Sequence, residues 1–421
     1  MRNFRISDPR KLATYGFVMA VRGAFVLMRL IVVLGLPYVL GPAALGMFGT
    51  FSAIVAVLPT LVGLGVPQYL IRRLANNVHL PSFRILALHS LLGCGAALLV
   101  ALAWIEIYPD IDALTGVFVA IVTAVEVVKV TLYSLAIARS SIIRANVVYV
   151  FSAAGPSIAV VFAYLFLDGQ LNLATVIGLW VVTNTASLLI ALTVVRRDVS
   201  TVFARTAWPA ISRRYAAAIG GARNIFLNQI VDVARVYCDR LIVPLLVGFY
   251  WAGIYNFFAL AANVSIMICS ATFGQTDLPQ LIKASEARSW GDFRRIVAAG
   301  VRNSILLPIA IMLPLFFLET VAAIVLKTPI DRSLYFGLTS AALLVAVSGS
   351  VADYLWCAVY AAHCEGRLGA RALVTVPLGV VLVAAGTAIF GLVGALIAVA
   401  LTNCAVTWLR WHALHAHILP R

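Results

Sequence analysis

Charged residues lie inside apolar stretches of this chain, where they are costly. Arg22 and Arg29 lie in "AVRGAFVLMRLIVV", seven residues or two helical turns apart, so they share one face of a helix. In "NQIVDVARVYCDRLIVP", Asp232, Arg235 and Asp239 follow an i, i+3, i+7 spacing and form a second charged stripe. A charge at the centre of a membrane helix costs about 2.5–3.5 kcal/mol on insertion scales, so each of these residues needs a reason to be there.

Arginine is the residue type suited to an anionic ligand in such a setting. Its guanidinium keeps its charge and binds phosphate through two parallel hydrogen bonds. We therefore predict a substrate-binding central cavity lined by these side chains and a neighbour one turn away, namely Arg22, Arg29, Asn228, Asp232, Arg235 and Asp239. The alternative is an internal salt bridge between an arginine and an aspartate of the same set. For Arg22, snorkelling to the membrane interface is a further explanation.

Three other intramembrane charges have two interpretations. Glu126 and Lys129 are spaced i, i+3 and are expected to pair, whereas Asp353 has no neighbouring cation in its own helix. We interpret each as part of an internal salt bridge or as a site that couples transport to H⁺ or Na⁺. No other cofactor and no metal is expected, because the histidines of the tail "WHALHAH" lie in a fraying end without fixed geometry.

The elements that carry these residues are membrane helices. The 421-residue chain is 63% hydrophobic and 11% charged, with a mean hydropathy of +1.02, which excludes a soluble globular domain. Apolar runs of about twenty residues, each long enough for a hydrocarbon core of about 30 Å, recur without the alternation of a barrel. The sequence predicts an all-α polytopic membrane protein with about twelve transmembrane helices, at 14–37, 44–71, 84–107, 113–137, 145–167, 171–195, 222–247, 251–278, 298–326, 333–362, 371–389 and 391–411. The short separator "IFG" leaves open whether the last two form one bent helix.

Lysine and arginine collect in alternate loops, which determines the predicted orientation. The loops "RRLANNVHLPSFR" and "EGRLGAR" are rich in cations, whereas "EIYPDIDALTG" and "LDGQLN" have none, so both termini are predicted to be cytoplasmic. Because the +15 formal charge lies in these loops, no nucleic-acid partner is expected. The outward loops are too short for a catalytic domain and the chain has no G-x-x-x-x-G-K-[ST] phosphate loop, so we predict that it is not an enzyme.

The chain also divides into two similar halves. We predict an N-terminal six-helix bundle at 1–195, a cytoplasmic linker at 196–221 and a C-terminal six-helix bundle at 222–421. "LGPAALGMF" matches "VGFYWAGIY" at an offset of 207 residues, which pairs Gly41 with Gly248 and Gly46 with Gly253. We interpret these glycines as tight structural turns, since glycine permits positive φ and close approach. Six spans in each half make the repeats parallel, which places a substrate site between the halves near the midplane.

The segments that contain this repeat, and a third segment near the C-terminus, resemble those of a known family. "LGPAALGMFGTFSAIVAVLPTLVGLGVPQYLIRRLA", "DRLIVPLLVGFYWAGIYNFFALAANV" and "GLVGALIAVALTN" are similar to three regions of the polysaccharide transporters, an O-antigen-type flippase family. That family belongs to the multidrug/oligosaccharidyl-lipid/polysaccharide (MOP) flippase superfamily. The chain is short for the group, and its sequence gives no sign of the thirteenth and fourteenth spans of some relatives. The resemblance implies the MOP flippase fold, a V-shaped pair of pseudo-symmetric six-helix bundles with a central cavity.

The same resemblance implies a function. It implies a flippase of the bacterial cytoplasmic (inner) membrane that moves a lipid-linked, polyprenyl-pyrophosphate oligosaccharide or polysaccharide precursor, as for exopolysaccharide or O-antigen, to the outer leaflet by alternating access. The implied partners are this substrate, membrane lipids, and a polysaccharide polymerase or export machinery. One alternative is a MATE-like secondary exporter of small amphipathic molecules, which the aspartates favour and the arginines disfavour. The other is a membrane polymerase or glycosyltransferase, which the short outward loops disfavour.

Overall fold

The described part of the chain consists of helices and their connections. The computed structural model describes residues 24, 28, 31–67, 69, 81–107, 112–138, 155–162, 165–166, 172–194, 208–326 and 330–418. Within these ranges there is no strand, and the all-α fold class predicted from the apolar runs is confirmed.

The helices of the first half follow the predicted apolar runs. Their bounds are Ile31–Leu40 (α1), Pro42–Gly63 (α2), Pro81–Ile105 (α3), Ala113–Ala138 (α4), 155–162 (α5) and Leu173–Val194 (α6).

The second half begins with a long helix that contains the predicted span 222–247 and most of the predicted span 251–278. The helices are Trp208–Cys269 (α7), Gln275–Glu286 (α8), Trp290–Met312 (α9), Glu319–Leu326 (α10), Arg332–Ala361 (α11), Glu365–Leu373 (α12) and Thr375–Ile418 (α13). A π-helical segment, Ser270–Gly274, connects α7 to α8, and a 3₁₀ segment, Leu313–Phe317, follows α9.

Seven helices in the described ranges are long and apolar enough to cross a membrane. Two of them, α7 and α13, contain a glycine with non-helical backbone angles, Gly248 (φ 77°) and Gly391 (φ 61°). A Cβ at Gly394 would collide with the carbonyl oxygen of Gly386, eight residues earlier, whereas eight residues of straight helix rise about 12 Å. The chain therefore reverses at Gly391, and the last two predicted spans are separate helices. The protein is a multi-pass membrane protein.

The two repeated turns contact each other reciprocally. Gly41 and Gly248 both have positive φ, 85° and 77°. A Cβ at Gly46 would collide with the carbonyl oxygen of Phe249, and a Cβ at Gly253 would collide with that of Pro42. Positions 42 and 249 are related by the same 207-residue offset as positions 46 and 253. The two contacts are therefore equivalent, because in each a glycine of one turn packs against the corresponding carbonyl oxygen of the other turn. This pattern is the one that a local two-fold axis produces.

The ninth predicted span differs from its prediction. The sequence predicted one helix at 298–326, but α9 begins earlier, at Trp290, and gives way after Met312 to the 3₁₀ segment that contains Pro314. Proline cannot donate a backbone hydrogen bond inside a helix, so the α-helical ladder ends there and a new helix, α10, starts at Glu319.

Side-chain caps begin three of the predicted even-numbered spans. Asp112 accepts hydrogen bonds from the backbone nitrogen and hydroxyl of Thr115, at 2.8 and 2.6 Å, and Asn172 caps α6. Asp331 caps α11 and accepts from the backbone nitrogen of Ser333 at 3.1 Å. The Thr115 and Ser333 hydrogen bonds lower the pKa of the Asp112 and Asp331 carboxyls, so both caps keep the charge that favours a helix N-terminus.

The described residues form two compact units. The N-terminal unit contains those up to Gly35 and from Ile54 to Arg223, and the C-terminal unit contains Leu36–Ala53 and those from Asn224 onward. A buried apolar cluster in the N-terminal unit includes Val66, Ile85, Ala218 and Ala222. A larger one in the C-terminal unit includes Leu281, Phe293, Leu355, Ala358 and Leu414. The bundle boundaries at 195 and 222 remain a prediction, because 195–207 lie outside the described residues.

Candidate functional site

Two arginines and two aspartates from three helices meet inside the C-terminal unit. Asp232 and Arg235 lie one turn apart on α7, Asp353 lies on α11 and Arg410 on α13. Arg235 forms an ion pair with Asp353 and its guanidinium lies 3.7 Å from Asp232. Arg410 donates a hydrogen bond to Asp232 at 2.5 Å. We call these four residues the ion-pair cluster.

Polar groups of α11 and α13 supply further hydrogen-bond acceptors to both guanidiniums. Arg235 Nη1 donates to the side-chain oxygen of Asn403 at 3.1 Å. Arg410 Nη1 donates to the carbonyl oxygen of Ala352 at 2.9 Å, and its guanidinium carbon lies 5.1 Å from the centre of the Trp356 ring. Both arginines are thus held by charge-assisted hydrogen bonds, and Arg410 also by a cation–π contact.

The cluster is neutral, but its charges are unequally accessible. The side chains of Arg235 and Arg410 are each 2% exposed, whereas those of Asp232 and Asp353 are 27% and 26% exposed. Two cations and two carboxylates cancel one another, and the accessible atoms belong to the carboxylates. An anionic ligand would reach either guanidinium only by displacing its carboxylate partner.

Asp239 lies one turn beyond the cluster and has different partners. Its Oδ2 accepts a hydrogen bond from the Tyr255 hydroxyl, on the helix after the Gly248 turn. Asp239 Oδ1 and Arg235 Nε have no hydrogen-bond partner among the described residues. Both side chains line a cavity of about 10 Å³, together with Tyr255, Asn263 and Asn403. This polar cavity is large enough for about one water molecule.

Asn228 lies apart from the ion-pair cluster. Its amide nitrogen donates to the carbonyl oxygens of Asn224, at 2.8 Å, and of Glu365, at 3.5 Å. It thus joins α7 to the start of α12, and its role as a cavity residue stays a prediction.

The N-terminal unit contains a separate buried network. Lys129 pairs with Glu126 on α4 and also donates to Asn184 on α6 at 2.7 Å. The Asn184 amide nitrogen donates to Glu126 at 3.2 Å, which closes a three-residue ring. Lys129 is 3% exposed, so the network satisfies its charge inside the unit. The salt-bridge interpretation describes this geometry, and ion coupling remains a prediction.

Arg22 and Arg29, the first residues singled out by the sequence, lie outside the described residues. Their proximity to Arg235, and their contact with an anionic headgroup, therefore stay predictions.

Arg410, Asn403 and Tyr255 are site residues that sequence reasoning missed. Arg410 lies one residue before the end of the predicted span 391–411, where an arginine is expected at the interface. It is instead 2% exposed, and the helix continues beyond it to Ile418. The available signal was that "WLRWHAL" keeps the helical apolar pattern beyond the arginine.

The described residues contain no group of three histidines, cysteines, aspartates or glutamates close enough to hold a metal ion. Two of the three histidines of the tail contact aromatic rings. His412 stacks on Trp408 with ring centres 5.7 Å apart, and His417 lies edge-on to Trp290 at 5.7 Å.

Comparison with known proteins gives matches of structure rather than of sequence. No protein-family model and no curated protein matches the chain. An inward-facing MATE-family multidrug transporter of the MOP superfamily matches with a TM-score of 0.67 and 12% identity, over 92% of this chain and 94% of that one. The lipid II flippase MurJ, inward closed, matches with a TM-score of 0.64 and 12% identity, over 97% and 89%. The Vibrio cholerae MATE transporter VcmN, in its bent form, gives 0.56 and 12%, over 96% and 98%.

These likenesses, at such low identity, concern the fold. They confirm the predicted MOP flippase fold, and the solved structures are of transporters and a flippase rather than of enzymes. They cover both MATE transporters and MurJ, so the resemblance to O-antigen-type transporters in particular stays a prediction.

Proposed function

We propose that this chain, which has the fold of MOP-superfamily transporters, is a flippase for a lipid-linked oligosaccharide or polysaccharide precursor carried on polyprenyl pyrophosphate. In this proposal it moves the sugar headgroup to the outer leaflet of the bacterial inner membrane by alternating access, and makes or breaks no covalent bond.

The observation that carries the proposal is the neutrality of the ion-pair cluster. An exporter of organic cations works best with an acidic site whose charge attracts its substrate. Here both carboxylates of the cluster, Asp232 and Asp353, have an arginine within 4 Å, so little net attraction for a cation remains. A neutral sugar is not repelled by such a site, and a pyrophosphate can compete with a carboxylate for a guanidinium.

Accessibility of the carboxylates favours the second candidate, a MATE-like exporter. Asp232 and Asp353 are about a quarter exposed, at 27% and 26%, while the arginines are covered. An amphipathic cation would therefore meet carboxylate oxygens first. Both candidates use the same fold, so the cargo has to be measured.

The test is translocation of a fluorescent polyprenyl-pyrophosphate sugar in proteoliposomes. We expect the wild type to move it, and Arg235→Gln and Arg29→Gln to slow it about tenfold or more, since hydrogen bonds to charged groups contribute about 1.5–3 kcal/mol. Arg332→Gln, in an exposed pair with Glu319, is the matched control and should transport normally.

A double variant separates contact with the headgroup from architecture. Arg235→Gln with Asp353→Asn removes both charges of one pair and leaves no unpaired carboxylate. If Arg235 contacts the pyrophosphate, this variant stays folded but slow. If it transports like the wild type, Arg235 is architectural and its proposed contact is wrong. A wild type that leaves the lipid in place but extrudes an organic cation under an H⁺ or Na⁺ gradient would replace the flippase with the exporter.

A further inference from the structure

A groove separate from the ion-pair cluster opens between the first turns of α9 and the last turns of α13. Its volume is about 260 Å³, below the roughly 300–1,000 Å³ of sites that enclose a drug-sized ligand. The floor is formed by Phe293, Val297 and Leu414, all of which are buried. Ala298 and Trp411 form the walls. Such a narrow apolar groove suits a hydrocarbon chain rather than a sugar.

Positive charge lies at the rim of this groove. Arg294 and His415 line it, and both side chains are exposed. Arg294 has no ion-pair partner among the described residues, whereas the next residue, Arg295, lies 3.6 Å from Asp292. Arg294 is therefore a charge without a protein counter-ion beside an apolar groove, and His415 adds an imidazole N–H.

Tryptophans place the mouth of the groove at the level of lipid headgroups. Trp411 lines the groove, Trp408 lies one turn before it, and Trp290 begins α9. Trp408 and Trp411 are large and exposed, 63% and 50%, at the end of an otherwise apolar helix. Tryptophans in this position are typical of the membrane–water interface, where the ring lies between hydrocarbon and headgroups.

We propose that this groove binds one phospholipid with an anionic headgroup. One acyl chain lies on Phe293, Val297 and Leu414, and the phosphate lies between Arg294 and His415. Basic pockets between membrane helices on the cytoplasmic side bind anionic headgroups through this combination of charge and apolar surface. The predicted orientation puts the groove in the cytoplasmic leaflet. The inference depends on membrane insertion and not on the transported cargo.

The test uses the full-length protein in detergent, with phosphatidylglycerol and phosphatidylcholine of identical acyl chains. We expect native mass spectrometry to show one phosphatidylglycerol bound per chain. We also expect phosphatidylglycerol to raise the thermal unfolding temperature of the protein more than phosphatidylcholine does. Arg294→Gln should weaken binding about fivefold, the effect of one cation near an anionic surface. Arg295→Gln is the matched control, because its charge is already paired, and should bind like the wild type.

A second variant tests the groove itself. Ala298→Phe adds a ring to an exposed wall position and should reduce lipid retention without lowering the stability of the lipid-free protein. Equal binding of the two lipids, equal losses in Arg294→Gln and Arg295→Gln, or unchanged binding in Ala298→Phe would overturn the proposal. So would stabilisation by inorganic phosphate as large as that by phosphatidylglycerol, since it would assign the site to a free anion. A dimer mass that excludes lipid would assign the groove to a second copy of this chain.

Discussion

At the scale of single residues, the stability of the C-terminal unit depends on charges that are buried in pairs. Arg410 is almost fully covered and holds Asp232 and the Ala352 carbonyl together. Replacing such a pair with apolar side chains changes the free energy of unfolding little, but removal of Arg410 alone leaves Asp232 with only its longer, 3.7 Å contact to Arg235. The pair is therefore far more sensitive to a single substitution than to a double one.

We expect Arg410→Leu to lower the free energy of unfolding by about 1.5–3 kcal/mol, the usual contribution of a hydrogen bond to a charged group. The control is Arg332→Leu, whose guanidinium pairs with Glu319 but is 77% exposed, and it should change stability by about 1 kcal/mol or less. Thermal unfolding in detergent measures both. Asp232→Asn combined with Arg410→Leu should recover part of the loss. Equal shifts for the two single variants would contradict this account.

The sequence predicted one side of this cluster and missed the other. Asp232 and Arg235 were found because they are three residues apart on one helix, where spacing determines the shared face. The partner of Asp232 lies 178 residues away on α13, and the partner of Arg235 lies 118 residues away on α11. Spacing along the chain contains no information about which helices are neighbours, so Asp353 kept two interpretations and Arg410 was not singled out.

At the scale of elements, the glycine turns place backbone against backbone. Gly46 and Gly253 leave no room for a Cβ, because each faces a main-chain oxygen that cannot rotate away. Asn256, at the position equivalent to Gly49, occupies the space that Gly49 leaves and donates to the carbonyl oxygen of Leu45 at 3.5 Å. The two repeats therefore differ at this position, where the first has a glycine and the second has an asparagine whose side chain takes the space beside it.

We expect Gly253→Ala to lower the free energy of unfolding by about 1–3 kcal/mol, because the added methyl group overpacks a rigid contact. Gly95→Ala is the control. Gly95 also lies inside an apolar helix, but nothing approaches within 4 Å of a Cβ there, so alanine should be neutral or stabilising by up to about 1 kcal/mol. Folded yield and thermal unfolding of the two variants test the difference. Comparable destabilisation would contradict the close contact.

Hydropathy predicted which segments form helices, but it did not predict where those helices begin and end. The sequence predicted starts at 222 and 298, but α7 begins at Trp208 and α9 at Trp290. Both early segments, "WPAISRRYAAAIGG" and "WGDFRR", are too polar to raise the hydropathy of a window, yet they continue the hydrogen-bond ladder. Hydropathy detects only the apolar part of a helix, whose length matches the hydrocarbon core. It therefore misses the polar turns by which a helix extends beyond that core.

At the scale of the whole molecule, the predicted orientation can be tested at two exposed positions. Arg332 lies at the start of α11, in a loop predicted to face outward, and Gly291 lies at the start of α9, beside a loop predicted to face the cytoplasm. In a background without the six native cysteines, we expect an impermeant maleimide to label Arg332→Cys in intact cells. Gly291→Cys should be labelled only after permeabilisation. The opposite pattern would reverse the predicted topology and place the termini outside.

The reciprocal contact of the two turns also has a consequence for synthesis. Pro42 and Gly253 touch, but at about 5–20 residues per second a ribosome needs roughly 10–40 s to make the chain between them. During that interval the backbone around Pro42 and Gly46 lies without the turn that contacts it in the folded protein. Insertion of the first half is therefore expected to precede its tight packing. A pause in translation before the second turn would lengthen the time in which that backbone can engage the wrong helix.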